Sequence, residues 1–203
     1  MQANNQPKQI RVRKERDFKP HHFLIYAADV QLLLAEEVTD KERGISEWIP
    51  QELAAITFSA FALEAIGNSF GEKFVKRWKD FEKCGPIAKL RIVCAELKIE
   101  PDFGGEPWAT ALWLVAFRNG IAHAKPTFVK TDEIVPESEY TFWHLHSDPQ
   151  SEIEKQITLE NARRAVKAIR KILDQFYLKV KPAERGSLFS DGSAAMASVV
   201  GAS

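Results

Sequence analysis

Arg118, Asn119 and His123 stand within the run Phe117-Arg118-Asn119-Gly120-Ile121-Ala122-His123, and their side chains suit chemistry on a phosphodiester. A guanidinium is a permanent cation whose planar fork of donors matches phosphate oxygens, and an imidazole exchanges a proton near neutral pH. On an unbroken helix Arg118 and His123 lie about 140° apart and do not share a face. Gly120 falls between them, and glycine readily takes the left-handed backbone of a helix C-terminus. The sequence therefore predicts a helix break at Gly120 that turns both groups to one side. The same residues also fit an architectural role, with the arginine capping helix carbonyls and the histidine satisfying a turn.

The elements that must position these groups are helical. Trp108, Leu112 and Val115 recur at helical spacing upstream of the motif, after Pro107, and predict a buried face. A first helix is predicted from about His21 to Glu37, with Phe23, Ala27, Val30 and Leu34 on its buried stripe. A second starts at Pro50 and runs to about Phe70, apolar nearly all round as a central helix would be. A short amphipathic piece sets Phe74, Trp78 and Phe81 against Lys73, Lys76, Arg77 and Lys79. A third helix follows Gly85-Pro86 with Ile87, Leu90, Cys94 and Leu97. The last helix, Thr158 to about Val180, carries Ala162, Ala165, Val166, Ile169, Ile172, Leu173, Phe176 and Val180 at helical spacing. Its Glu160 and Lys179 complement the dipole, and Pro182 stops it.

Between Pro126 and Pro149 the pattern changes to a small irregular flap or β-hairpin. The expected fold class is all-α, an up-and-down bundle of about four to five long helices with that insert. Residues 1–20 read as a basic lead-in, flexible or docked at an edge, 21–182 as the bundle, and 183–203 as a disordered Ser/Ala/Gly-rich tail.

Polar residues on the second helix point to the same site. Thr57, Glu64 and Asn68 form one stripe on an otherwise apolar surface. A buried carboxylate needs a cation or several donors, and Arg118 is the candidate partner because its own helix must pack nearby. The other reading turns Glu64 to solvent through a gap in the bundle and leaves Asn68 at a fraying helix end.

Composition excludes several functions. Lysine plus arginine equals aspartate plus glutamate at 28 each, so no overall positive field draws nucleic acid. Contact with a polyanion must come from local patches or from a cleft between subunits. Cys84 and Cys94 have neither disulfide logic nor the context of a nucleophile. His144 and His146 flank Leu145 and would share a strand face, but no third ligand stands near, so a polar face is expected and no metal. His21-His22 at a helix start reads as solvated. The basic runs at 8–19 and 73–91 are interrupted by acids and read as solvated faces, with RNA contact as the other reading. No phosphate-binding glycine loop is present, and no cofactor is expected. The N-terminus has no apolar core, and the longest apolar stretch, Leu53 to Gly67, is short for a bilayer and carries Glu64. A cytoplasmic protein without membrane contact is expected.

Arg118-Asn119-x-x-x-His123 resembles the arginine–polar–x–histidine signature of the HEPN superfamily (higher eukaryotes and prokaryotes nucleotide-binding domain). The Ala-Leu-Glu64-Ala-x-x-Asn68 segment resembles the second helix of many such domains, where an acidic residue supports the motif. The resemblance covers roughly residues 21 to 180 by helix order. It implies a bundle that dimerises to bring two motifs into one composite cleft. It further implies a metal-independent endoribonuclease of the kind found among toxins of toxin–antitoxin systems and phage-defence effectors. RNA would then be the substrate, and an antitoxin or regulatory protein a further partner. In that chemistry His123 is general acid or base, Arg118 stabilises charge on the phosphoryl oxygens, and Asn119 orients the phosphate or the histidine. Glu64 and Asn68 support them. The alternative is a non-catalytic HEPN-like module that binds a nucleotide or a protein partner and keeps Arg118 and His123 for structure.

Overall fold

The computed structural model describes residues 9–38, 50–141, 148–189 and 192–200. Within them the chain is mostly helical, with one small two-stranded sheet. Proline starts three helices, where its missing N–H costs nothing: α1 (Pro20–Glu37), α2 (Pro50–Phe74) and α3 (Pro86–Glu96). Pro107 caps α4 (Trp108–Ala122). Thr158 caps α5 (Leu159–Lys179) by accepting the Asn161 backbone N–H at 3.1 Å. A short helix, α6 (Pro182–Phe189), follows.

α2 lies at the centre, against α1, α3, α4 and α5. At 25 residues it outruns the apolar stretch read from the sequence. It is long and apolar enough by length and composition to cross a membrane, and half of its most apolar part is buried inside the protein. The core joins Ile56, Leu63, Ile66 and Phe70 of α2 to Leu90 and Val93 of α3, Leu114 and Phe117 of α4, and Ile169, Ile172 and Phe176 of α5. Cys94 belongs to this core, and burial pushes its thiol up to about 12, so it stays protonated at neutral pH as an apolar filler.

Three expectations about the frame differ from the structure. The stripe Phe23, Ala27, Val30, Leu34 of α1 was expected to face the core, but Phe23 is 58% and Leu34 42% exposed. The opposite face is the buried one, through His21, Ala28 and Ala35. α1 is apolar on both faces, so periodicity cannot choose between them, and small alanines let the helix seat closely on its neighbours. His21, expected in solvent, is fully buried: its Nδ1 lies 3.0 Å from Ser69 Oγ and its Nε2 3.1 Å from the Leu188 carbonyl oxygen.

That contact explains the third difference. The tail expected to be disordered forms α6, and it docks through buried Leu188 and through Phe189, which meets Phe70 and Tyr177 edge-on. Beyond it, β2 (Gly192–Val200) pairs antiparallel with β1 (Gln9–Asp17), from Gln9 opposite Val200 to Asp17 opposite Gly192. The basic lead-in is thus one strand of a ribbon joining the two ends of the chain. Its side chains Ile10, Val12 and Met196 stay exposed, so no buried face announces it in the sequence.

Between Pro126 and Pro149 the insert takes the irregular one of its two expected forms. Its described residues carry no strand and are irregular, while residues 142–147, with His144 and His146, lie outside the described residues.

Candidate functional site

Glu64 and Arg118 meet between α2 and α4, at the surface end of the core. Arg118 donates from Nη2 to Glu64 Oε2 at 2.7 Å, each side chain 29% exposed. The carboxylate's other oxygen faces a second cation that the sequence reading missed. Lys89 Nζ of α3 stands 3.4 Å from Glu64 Oε1, and its side chain is only 5% exposed. Close helix packing puts it there: a Cβ on Gly67 would lie 3.3 Å from the Lys89 Cβ, so the missing side chain lets α3 press against α2. A signal existed, because Lys89 precedes Val93 by one helical turn and so lies on the face of α3 that carries Leu90, Val93 and Cys94. Glu64 is thereby clamped between two cations, and it fixes the guanidinium.

Arg118 is held on two further sides. Its Nη1 donates to Asn119 Oδ1 at 3.0 Å, and its Cζ lies 5.7 Å from the centroid of the Phe61 ring. Asn119 therefore orients Arg118, its direct neighbour.

His123 is placed differently from expectation. The predicted break at Gly120 is absent: α4 continues to Ala122, and His123 is its C-cap, with its backbone N–H on the Asn119 carbonyl at 3.0 Å. Arg118 and His123 consequently point about 140° apart around one helix. His123 shares its stripe with Leu112, Ala116 and Asn119, spaced four, three and four residues apart, and all four are exposed. Leu112 was expected on the buried face, which is instead built from Trp108, Ala111, Leu114 and Phe117. Among the described residues the His123 imidazole makes no hydrogen bond or ion pair.

Gly120 serves as a helical residue beside Ile153. A Cβ there would meet Ile153 Cδ1 at 3.5 Å, an ordinary contact. The Ile153 segment is itself pinned, because hydrogen bonds from the Ser151 hydroxyl and then from its backbone N–H, the latter 2.6 Å from Glu154 Oε2, hold the Glu154 carboxyl below its usual range. Gly120→Ala should therefore leave the unfolding midpoint unchanged or raise stability by up to about 1 kcal/mol, the helical advantage of alanine. A clear loss in chemical denaturation would show that Gly120 needs a left-handed backbone after all.

Asn68 does not join the Arg118 cluster. It lines a separate cavity of about 530 Å³ with Lys19, Ser69, Glu72, Lys73 and Leu188. The structure thus gathers Glu64, Arg118, Asn119 and Lys89 into one charged chain, leaves His123 exposed on the adjoining face, and sets Asn68 apart. Chemically, this is a fixed guanidinium on one side of α4 and an imidazole open to solvent on another. No family model, curated protein or solved structure matches this chain.

Proposed function

We propose that this chain is a metal-independent endoribonuclease of HEPN type, an up-and-down bundle working as a homodimer with a composite cleft. The observation that carries the reading is a guanidinium clamped by Glu64 on the helix that also presents an unpartnered, exposed imidazole. A side chain that only capped a turn would have a protein partner; His123 has none among the described residues. Because Arg118 and His123 diverge within one helix, a second copy is required to complete the site, and the exposed stripe Leu112, Ala116, Asn119, His123 is the face that would meet it.

The chemistry follows from the groups. One His123 takes the proton of a ribose 2′-OH as that oxygen attacks the adjacent phosphorus. Arg118 carries the charge that builds on the phosphoryl oxygens. The 5′-oxygen departs with a proton from the second copy's imidazole, leaving a cyclic phosphate. The nucleophile belongs to the substrate, so no metal-bound water is needed, and only RNA supplies it.

Solution mass tests the assembly: two subunits of 23.0 kDa are expected at micromolar concentration, and a monomer overturns the composite cleft. Cleavage of RNA in chelator, lost when the cleaved nucleotide carries deoxyribose, tests the chemistry. One observation favours the second reading, a non-catalytic binding module: both terminal nitrogens of Arg118 already have partners within the chain. Absence of cleavage of any RNA, with harmless expression in cells, would select that reading.

A further inference from the structure

Outside the Glu64–Arg118 cluster, one groove among the described residues is lined mostly by positive side chains. Arg163, Arg164, Lys167 and Lys171 of α5, with Glu106, Glu160 and Ala168, line a groove of about 320 Å³. In a chain of zero net charge such a local excess is what a polyanion would find.

The pairing of the α5 cations divides them into two sets. Those facing α1 are matched by acids: Arg163 Nε donates to Glu36 Oε1 at 2.8 Å, and Arg170 grips Asp29 with two nitrogens, the shorter contact 2.6 Å. Arg164, Lys167 and Lys171 are exposed and have no ion pair among the described residues. They stand at i, i+3 and i+7, one row about 10 Å long at 1.5 Å per residue. Of the two groove acids, the Glu106 carboxylate already accepts the Thr110 hydroxyl at 2.6 Å, and Glu160 sits in the first turn of α5, facing its dipole.

Arg164 is also held in place. Its guanidinium lies 4.5 Å over the Trp113 ring, and Trp113 Nε1 donates to Gln156 Oε1 at 2.7 Å. Trp113 belongs to α4, ten residues before His123, so the row begins about 15 Å along that helix from the imidazole.

We propose that this groove binds the phosphate backbone of single-stranded RNA and leads the strand along α4 to His123. The proposal rests on the ribonuclease reading for its ligand. A row of cations with no ion pair among the described residues fits the evenly spaced charges of a nucleic-acid backbone and reads no base.

The test uses the full chain carrying His123→Ala, so that RNA is not consumed. A fluorescent oligouridylate of about twelve nucleotides, within the usual span of such grooves, is titrated at several salt concentrations. Lys167→Glu with Lys171→Glu is expected to weaken binding at least about tenfold and to flatten the dependence of log Kd on log salt by about 1.4, the value for two contacts to a single strand. The exposed pair Lys76→Glu with Lys83→Glu changes charge equally and should keep the parent affinity, and unchanged melting of both variants checks the fold. Equal affinity in the two double variants, no binding by the parent, or displacement of the RNA by polyglutamate at matched charge would each overturn the groove. The two readings fail separately. Cleavage by the otherwise native chain that ignores the Lys167/Lys171 reversal removes the groove and leaves the nuclease. Groove-dependent binding without any cleavage keeps the groove and removes the nuclease.

Discussion

Replacing Glu64 by alanine is expected to lower the free energy of unfolding by about 3 kcal/mol, seen as an early midpoint in chemical denaturation. The carboxylate stands between Arg118 and Lys89. Its loss strands both cations, and removing one member of a buried pair costs about 3–5 kcal/mol. The low end of that range applies because Arg118 is 29% exposed and can recover some hydration, whereas Lys89 at 5% cannot. Glu64→Gln keeps an acceptor for Arg118 and should cost less than the alanine variant. An unchanged midpoint in Glu64→Ala would mean that the clamp contributes nothing, and with it the account of how Arg118 is oriented.

The opposite combination is expected at His123. His123→Ala should cut RNA cleavage by about 10²–10⁴-fold, the usual worth of a general acid or base, while leaving the denaturation midpoint where it was. The imidazole is exposed and makes no hydrogen bond among the described residues, so its removal disturbs no packing. Arg118→Lys should lose nearly as much activity, because an ammonium cannot serve Glu64, Asn119 and a phosphate with one planar fork. Chelator should change neither result. Full activity in His123→Ala, or a dependence on divalent ions, would remove the proposed mechanism even with the fold intact.

The two substitutions therefore separate along different axes, stability for the clamp and rate for the imidazole. That separation follows from burial. A buried charge shapes the fold because water cannot replace its partner, whereas an exposed one is free for a ligand.

Most of the helical frame was legible in the sequence by itself, because its causes are local. Proline at 50 and 86 and the Thr158 cap mark helix starts, and the α5 stripe from Ala162 to Val180 is set by one helix's own periodicity. The meeting of Glu64 with Arg118 was one of two readings open in the sequence, a carboxylate seeking a cation or one turned to solvent, and the packing of α4 on α2 selects the first. Only tertiary structure decided the rest. α1 is apolar on two faces, and packing against α2 and α5 selects the one with Ala28 and Ala35. Gly120 is compatible with a break or a helix, and in the folded chain it lies within α4 beside Ile153. Lys89 becomes a site residue because α3 closes on Gly67, and His21 is buried because Leu188 returns from the far end of the chain. In each case the deciding contact joins residues distant in sequence, and no local pattern encodes the distance between them.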